Sequence, residues 1–336
     1  MKQHYVILSA AFLLSACQGG VGTPSASGPS TAARLLTGSR YDSVPSIALR
    51  ARPHALHTLG RKSWMAPDAK AKELLYVSDS VNWDVVVYDY RTGKQVGLLS
   101  TGLDYPEGLC VDKRGNIWVA NSEAYNMVEF AHGGTTPIAT LDDNDYTPVS
   151  CSVNPTNGDL AVSNILYFRE GLEGNVTIFA GAKGEGTFYT DDAFYSYYFV
   201  GYDNKGNLFF DGSNAQPGAN GQFEYAELPN GSANAQSITL AGGSVTFPGN
   251  IQWDGREMTL GDQSNAVIYQ TSGSKIIGST PLRGSSDVVQ FFIKGKSVVG
   301  PDAGNDSVEF FRYPKGGAAY KTWTGPTEPI GAVISK

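Results

Sequence analysis

Polar and hydrophobic residues alternate along this chain in short bursts, and one five-residue pattern returns six times. Each copy opens with Asn, Asp or Gly, has a central residue two positions later and ends in Phe or Tyr. The copies are DVVVY from Asp84, NMVEF from Asn126, NVTIF from Asn175, GQFEY from Gly221, NAVIY from Asn265 and DSVEF from Asp306. Only the third copy has a polar central residue, Thr177. The starting positions are 42, 49, 46, 44 and 41 residues apart, and strand-like repeats of about 40–50 residues are typical of a β-propeller.

Each repeat divides into four short strands, as a propeller blade requires. The first strand often begins with Pro and a small residue, and Gly, Asn or Asp then supplies a tight turn. The third strand is the repeated pattern, and the fourth is more variable. The second strands are apolar and read LLYVSD (74–79), IWVAN (117–121), LAVSN (160–164), LFFDG (208–212), MTLGD (258–262) and SVVGP (297–301).

The two ends of the repeat array predict how the ring closes. Complete first strands precede five copies, whereas the copy at 74–100 lacks one. Residues 328–334 resemble a first strand with no blade after it, and pairing this strand with 74–77 completes six blades and removes exposed sheet edges. The segment from Trp64 to Pro67 competes for the same place. We therefore predict an all-β, six-bladed β-propeller closed by a C-terminal strand.

The N-terminal residues differ from the repeats. Lys2 precedes an apolar stretch from Tyr5 to Leu14, which is too short to span a bilayer as a mature helix. The stretch ends in Leu14-Ser15-Ala16-Cys17, which resembles the lipobox of bacterial lipoproteins and implies cleavage before Cys17 and lipidation of its thiol. The alternative is an ordinary secretory signal with a chance cysteine. By resemblance to bacterial sorting signals, Gln18 after the cysteine favours the outer membrane.

These observations predict three regions and an extracytoplasmic location. Residues 1–16 form a lipoprotein signal peptide, residues 17–60 carry the lipidated cysteine and a flexible tether, and residues 61–336 form the propeller. The expected location is the bacterial cell envelope, where disulfides are permitted. Cys110 and Cys151 fall in first strands of neighbouring repeats, so bonded and free thiols remain alternatives, with a structural role in both cases.

The charge of the chain limits its partners. The net charge is −7 and the isoelectric point is about 5.1, and an acidic surface repels phosphate backbones, so no nucleic acid partner is expected. The expected partners are the membrane, through the lipid anchor, and a protein, glycan or small molecule. We expect the protein to be a monomer.

The second repeat resembles the NHL repeat. Residues 105–121 read YPEGLCVDKRGNIWVAN and are followed by NMV from Asn126, which fits the family pattern Pro-x-Gly, Asp-x-x-Gly-Asn, an apolar strand ending in Asp or Asn, and Asn-x-aliphatic. The match is moderate at 202–212 and 157–164 and weak at 286–310. The resemblance covers about 74–336 and implies a six-bladed propeller, but the family includes binding modules and several enzymes.

Polar residues end the second strands, where we expect them to surround one mouth of the central channel. The loops that follow share a face with the links between blades, and their carboxylates and amides suit Ca²⁺ or another divalent cation. Because the positions recur in nearly every blade, hydrogen bonding to the next turn is the alternative role. The candidate mouth or metal residues are Glu107, Asn121, Asn164, Asp211, Asp262 and Asp302.

The loops between second and third strands predict where the blades differ. They contain four residues in the first and second blades (80–83 and 122–125), two in the fifth (263–264), ten in the third (165–174) and eight in the fourth (213–220). Long loops on a rigid scaffold commonly form binding sites. We therefore expect a ligand-facing surface over the third and fourth blades, carried by Tyr167, Phe168, Arg169, Glu170 and Asn214.

Three functional hypotheses follow, and the catalytic residues stay unassigned. The first is a non-catalytic binding module. The second is a divalent-metal-dependent lactone or ester hydrolase similar to the gluconolactonase propellers, although Pro106-Glu107-Gly108 departs from the Glu-Gly-Pro order of that family. The third is a lyase of the streptogramin type, which uses histidines at the channel mouth. Here His4, His54 and His57 precede the propeller and His132 lies in a turn on the opposite face, which disfavours the lyase. The binding module ranks first because it needs only the repeat and the tether.

Overall fold

The computed structural model describes residues 61–167 and 171–336, which form six sheets that follow one another along the chain. The predicted signal peptide, Cys17 and the tether lie outside the described residues, as do Phe168, Arg169 and Glu170. Each sheet contains four or five strands, which confirms the all-β, six-bladed propeller. In the described ranges, no helix has the length and apolar character needed to cross a bilayer.

The first three blades hold their strands in the predicted order from the channel outwards. Blade 1 consists of β26 (Pro329–Ser335), β2 (Leu74–Asp79), β3 (Asp84–Asp89), β4 (Gln95–Leu99) and β1 (Trp64–Met65). Blade 2 consists of β5 (Pro106–Val111), β6 (Ile117–Asn121), β7 (Asn126–Phe130) and β8 (Pro137–Asp142). Blade 3 consists of β9 (Tyr146–Val153), β10 (Leu160–Tyr167), β11 (Leu172–Phe179) and β12 (Gly186–Tyr189).

The last three blades repeat this order. Blade 4 consists of β13 (Ser196–Tyr202), β14 (Leu208–Ser213), β15 (Phe223–Leu228) and β16 (Gln236–Ser237). Blade 5 consists of β17 (Pro248–Trp253), β18 (Met258–Asp262), β19 (Val267–Ser272), β20 (Lys275–Arg283) and β24 (Gly317–Ala318). Blade 6 consists of β21 (Phe292–Lys294), β22 (Ser297–Asp302), β23 (Ser307–Arg312) and β25 (Lys321–Thr324). Short 3-10 helices lie at Ala69–Ala71, Ser122–Ala124, Ala180–Ala182 and Ala303–Asn305.

The C-terminal strand closes the ring. β26 is buried throughout and pairs antiparallel with β2, which places Leu75 opposite Ile334 and Val77 opposite Ala332. The competing segment forms β1, which pairs with β4 at the outer edge of the same blade and leaves Trp64 exposed. The predicted closure is therefore confirmed, because a seven-residue apolar strand can fill the innermost position whereas a two-residue strand covers only an edge.

The loops between second and third strands depart from the prediction. Blade 5 has four loop residues (263–266), so the predicted two-residue loop is wrong. In blade 3, β10 and β11 continue as a hairpin with Leu166 opposite Glu173. Residues 165–167 and 172–174 of the predicted ten-residue loop are therefore strand. The loop of blade 4 spans 214–222. The four-residue loops of blades 1, 2, 5 and 6 each end in a residue with positive φ, namely Trp83, Tyr125, Ala266 and Asp306.

A disulfide joins blades 2 and 3. Cys110 of β5 and Cys151 of β9 are bonded, with their Cα atoms 5.6 Å apart, which decides between the alternatives left open by the sequence. The bond lies in a buried cluster with Trp118, Leu160 and Phe179. Covalent and apolar contacts therefore act together to hold the innermost strands of these two blades.

Antiparallel pairing gives the propeller two distinct faces. The loops between second and third strands and the links between blades lie on one side, which we call the loop face. The turns between first and second strands and between third and fourth strands lie on the other side, the hairpin face. Gly115 lies in one of these turns at φ +82°, where a Cβ atom would meet the carbonyl oxygen of Lys336, so the turn requires glycine.

Candidate functional site

Asp262, predicted at the channel mouth, secures the link that precedes its own blade. Its carboxylate accepts hydrogen bonds from the backbone N–H groups of Thr246 (2.9 Å) and Phe247 (3.4 Å). It also accepts one from the side chain of Asn265 at 2.8 Å. The carboxylate thus connects the segment before β17 to the loop after β18, which is how a polar side chain at a strand end commonly holds a turn.

Asp302 and Asn121 make the equivalent contacts in blades 6 and 2. Asp302 accepts a hydrogen bond from the backbone N–H of Ser286 at 2.8 Å. Asn121 accepts one from the N–H of Asp104, and its amide donates to the carbonyl oxygen of Gly102 at 3.0 Å. Both side chains are buried, and both bond to the link that leads into their blade as well as to the loop or strand that follows.

Asn164 belongs to a buried polar network inside blade 3. Its amide donates to the side-chain oxygens of Asn175 (2.7 Å) and Thr177 (3.0 Å), and the Thr177 hydroxyl donates to Asp143 at 2.7 Å. Burial raises the pKa of Asp143 to about 7, while hydrogen bonds from Thr177 and Asn164 act in the opposite direction. Thr177, the one polar central residue of the repeated pattern, therefore supplies the hydroxyl that reaches Asp143.

Asp211 joins blades 4 and 5. The position equivalent to Asn121 is Gly212, so Asp211 lies one residue earlier, and its carboxyl group is fully buried. It accepts a hydrogen bond from the N–H of Phe199 at 3.1 Å. Burial raises the pKa of Asp211 well above its usual range, and hydrogen bonds from Phe199 and from Gly249 of the next blade oppose this rise.

Glu107 is a carboxyl group within an apolar layer. Burial, followed by the like charges of Glu123 and Glu328, raises the pKa of Glu107 well above its usual range. The nearby Ser122 hydroxyl offsets only part of this rise, because it donates to the carbonyl oxygen of Pro148 at 2.6 Å. The residues that take the place of Glu107 in the other blades are Val149, Tyr198, Gly249, Val289 and Ile330.

Aromatic and aliphatic side chains close the channel at the loop face. Trp83, Tyr105 and Ile165 are buried and pack in one cluster with Tyr198 and Ile330. Trp83 and Tyr105 both have positive φ (56° and 60°), and their rings meet edge to face with centroids 6.2 Å apart. The predicted mouth is therefore a packed apolar layer.

A buried amide crosses the channel beneath this layer. Gln290 of blade 6 accepts hydrogen bonds from the N–H groups of Leu109 (3.0 Å) and Ala332 (3.2 Å) and donates to the carbonyl oxygen of Leu109 at 3.0 Å. The amide passes Gly331, where a Cβ atom would lie 2.6 Å from its oxygen. Glycine at this position lets blade 6 bond directly to blade 2 across the closing strand.

The predicted mouth residues do not assemble into one metal centre. Asp262, Asp302 and Asn121 hold separate links, Asn164 lies in the blade 3 network, and Asp211 lies between blades 4 and 5. Across the described part of the chain, no three His, Cys, Asp or Glu side chains are placed where they could hold a metal ion. The hydrogen bonds that these residues make are those of the alternative, structural role.

An aromatic surface lies at the loop-face edge of blade 3. The ring of Tyr146 has its centroid 5.0 Å from that of Tyr167 and 5.3 Å from that of Phe188. Leu172 lies opposite Tyr167 in the hairpin. Leu172 is 51% exposed and Phe188 is 43% exposed. We call Tyr146, Tyr167, Leu172 and Phe188 the blade-3 patch.

Tyr195 connects the blade-3 hairpin to the loop of blade 4. Its hydroxyl donates to the carbonyl oxygen of Gly171 at 2.7 Å and accepts a hydrogen bond from Gln216 at 2.8 Å. Asn214, a predicted ligand-facing residue, is exposed in the same loop and accepts a hydrogen bond from the N–H of Gln222 at 2.9 Å. The two irregular blades thus form one continuous surface.

Sequence reasoning identified Tyr167 but missed the other three members of the blade-3 patch. Tyr146 lies in a strand start that precedes the aligned Pro148, and Phe188 lies on the outermost strand, where the repeats are too variable to align. The sequence feature that could have indicated the blade-3 patch was Leu172, an apolar residue between Gly171 and Glu173 in a segment predicted as a loop.

Comparisons with known proteins agree with this fold. Residues 103–130 match the NHL repeat family model. The propeller is similar to a chain in the crystal structure of a nidogen/laminin complex, with a TM-score of 0.63 and 13% identity over 79% of this chain and 98% of that chain. A streptogramin B lyase structure aligns with a TM-score of 0.48 and 12% identity over 76% of this chain and 74% of that chain, which is too weak to support any inference. No curated protein matches the sequence.

These findings define the class of protein. The chain is an NHL-like six-bladed β-propeller, since the fold has six closed blades and the second blade matches the NHL repeat. The similarity to solved structures concerns the fold alone.

Proposed function

We propose that this protein is a lipid-anchored, extracytoplasmic binding module whose blade-3 patch contacts another protein. The exposure of Leu172 and Phe188 beside two packed tyrosine rings supports this proposal, because exposed apolar groups with tyrosine on a rigid sheet are typical of protein interfaces. A β-propeller with an NHL repeat is also typically a protein-interaction module.

Charge around the blade-3 patch indicates the chemistry of the partner. Asp145 directly precedes Tyr146, Glu173 directly follows Leu172, and Glu173 is exposed. Acidic residues around an apolar centre favour a partner with the opposite arrangement. We therefore propose a protein surface with an apolar side chain surrounded by Lys or Arg.

Site-specific crosslinking tests this surface. A photoreactive phenylalanine analogue at position 172 should give one discrete adduct in cells, whereas the same analogue at position 277 should give none. Ile277 is the matched control because it is 52% exposed on an outer strand of blade 5. With the captured partner purified, Phe188→Asp should weaken binding by about tenfold or more, since it places a charge in the apolar contact, and Ile277→Asp should not.

Two results would contradict the proposal that the blade-3 patch is the interface. Adducts from position 277 alone would place the interface elsewhere, and equal affinity of Phe188→Asp and the unchanged protein would show that the aromatic side chain makes no contact. Binding that strengthens with added salt would contradict the proposed basic partner, because salt screens attraction between opposite charges.

The lipid anchor is a separate part of the proposal. It rests on the Leu14-Ser15-Ala16-Cys17 sequence and the Gly- and Ser-rich segment after it. Radioactive palmitate should label the protein, and Cys17→Ala should abolish the label. Equal labelling of both forms would contradict lipidation at Cys17 without affecting the blade-3 patch.

A further inference from the structure

The central channel remains open at the hairpin face. On that side of Gln290 it widens into a cavity of about 260 Å³. A groove of about 240 Å³ runs beside it between blades 4 and 5. Asp203, Asn204 and Trp253 line both spaces, which therefore adjoin. We call the two spaces together the hairpin-face pocket.

The inner part of the hairpin-face pocket is apolar. The ends of the innermost strands supply its walls, among them Val111, Val153, Tyr202, Trp253, Phe292 and Val333. The amides that reach it are already bonded: Gln252 exchanges hydrogen bonds of 3.0 and 2.7 Å with the backbone of Ile293, and Asn250 donates to the carbonyl oxygen of Phe291 at 2.7 Å. Such a cavity suits a hydrocarbon or aromatic group.

The outer part of the hairpin-face pocket presents two exposed cationic side chains. Lys205 and Arg256 line the groove and are exposed, and neither forms an ion pair within residues 61–167 and 171–336. Asp203 also lines the groove. Its carboxylate accepts hydrogen bonds from the N–H groups of Lys205 (2.8 Å) and Asn207 (2.9 Å). Glu257 is the other carboxylate of the groove and is half-buried.

The fully exposed charged residues of the hairpin face are mostly basic although the chain is acidic. Exposed acidic residues in the described turns of this face are Asp68 and Glu185. Exposed basic residues are Lys70, Arg91, Lys94, Lys113, Arg114, Lys183, Lys205, Arg256, Lys275, Lys296, Arg312, Lys315 and Lys336. A concave opening within such a surface attracts anions.

We propose that the hairpin-face pocket binds a small amphipathic carboxylate. Its hydrocarbon or aromatic part lies in the cavity against Tyr202 and Trp253, and its carboxylate lies in the groove at Lys205 and Arg256. Both halves of the ligand follow from the pocket, since the apolar wall adjoins a groove whose exposed charged side chains, Lys205 and Arg256, are cationic. The pocket lies on the opposite face from the blade-3 patch and does not depend on the proposed protein partner.

Calorimetric titration of the full chain with octanoate tests the ligand class. Octanoate should bind at a single saturable site, and octylammonium, which has the same chain length and the opposite charge, should bind at least about tenfold more weakly. Absence of saturable octanoate binding, or equal affinity for the two compounds, would overturn the proposal.

Matched variants test the location. Lys205→Gln and Arg256→Gln should each weaken octanoate binding by about three- to tenfold, as expected for loss of one charge-assisted contact. Lys296→Gln removes a charge from the same face outside the pocket and should leave the affinity unchanged. If all three variants weaken binding equally, octanoate responds to the general charge of the face, and the pocket is excluded.

A substitution that fills the cavity provides a second test of where octanoate binds. Val111→Phe should abolish octanoate binding, because the larger side chain enters the space proposed for the hydrocarbon. Its thermal unfolding must stay cooperative and close to that of the unchanged protein. If Val111→Phe unfolds, Val153→Ile, which adds one methylene to the same wall, should weaken binding; unchanged affinity in a folded variant would overturn the proposal.

Discussion

The loop face and the hairpin face end the same central channel in different ways. At the loop face, Trp83, Tyr105 and Ile165 pack over the channel with Glu107 buried among apolar neighbours. At the hairpin face, residues of the innermost strands, Tyr202 among them, line a cavity of about 260 Å³. Polar residues at strand ends therefore mark the face where the scaffold is secured, and the open space lies on the other side.

The difference has a physical cause in the strand ends. On the loop face, four blades use loops that end at positive φ, and in blade 1 this conformation turns a large ring, Trp83, into the core. On the hairpin face, the turn at Gly115 packs against Lys336 at the end of the closing strand. Segment length does not explain the difference, since the turn between β5 and β6 has five residues (112–116) and the loop-face loops of these four blades have four. The large buried side chains of the loop face cover the channel there.

Removal of the closing strand should have the largest effect on the stability of the propeller, because this strand contributes to both faces. Gly331 makes room for the amide bridge below the loop face, and Val333 lines the hairpin-face pocket. Deletion of 329–336 should abolish cooperative thermal unfolding, since it exposes the edge of β2 and the inner core. An unchanged melting temperature would contradict the closure.

Loss of the disulfide should have the next largest effect. Cys110 and Cys151 line the hairpin-face pocket and close a loop with a sequence separation of 41 residues, and disulfides of this kind contribute about 2–4 kcal/mol. The double variant Cys110→Ala/Cys151→Ala should lower the melting temperature and weaken octanoate binding more than binding at the blade-3 patch. Equal losses at both sites would show that the two faces are coupled.

The buried acid Asp143 should make the loop face sensitive to pH. Its folded-state pKa is about 7, above the value of about 3.9 for an unfolded aspartate, so its contribution to stability is complete below pH 4 and is lost as the pH rises through 7. At pH 8 this loss of unfolding free energy is on the order of 2–4 kcal/mol. Asp143→Asn should abolish it, because asparagine does not ionise. The measurement is the free energy of unfolding at pH 4, 6 and 8.

The control for Asp143→Asn is a substitution without a titratable group. Ile277→Ala, on the exposed outer strand of blade 5, should leave the pH profile between 4 and 8 unchanged. A profile unchanged by Asp143→Asn would show that the carboxyl group has an ordinary pKa.

The linker contacts of the loop face should give the smallest effect. Asp262→Ala leaves the N–H of Thr246 without its acceptor, and loss of such a charged hydrogen bond costs about 1–3 kcal/mol. Chemical denaturation should show this loss with and without Ca²⁺ or Zn²⁺. A metal-dependent rise in melting temperature that Asp262→Ala abolishes would instead support the metal-dependent hydrolase hypothesis.

The sequence predicted the architecture better than it predicted the site. The repeated pattern and the spare strand at 329–335 were sufficient for six blades and their closure, because both depend on local periodicity and strand count. The loop boundaries in blade 5 depend on the positive φ of Ala266, which residue type does not indicate. The closed mouth depends on contacts between Trp83, Tyr105 and Ile165, and a pattern within one repeat carries no information about contacts between blades.

The hairpin-face pocket was missed for the same reason. Tyr202 and Trp253 end first strands in different blades, and each resembles an ordinary strand residue in its own repeat. Lys205 and Arg256 resemble ordinary turn residues. Their relation becomes visible only when the blades are arranged in a ring.

The channel is closed at the loop face and accessible at the hairpin face. The most direct test is the anomalous bromine signal from a crystal of the protein soaked with 8-bromooctanoate. We expect bromine in the cavity beside Tyr202 and Trp253, with the carboxylate at Lys205 and Arg256. Bromine at the loop face, between Trp83 and Glu107, would contradict it.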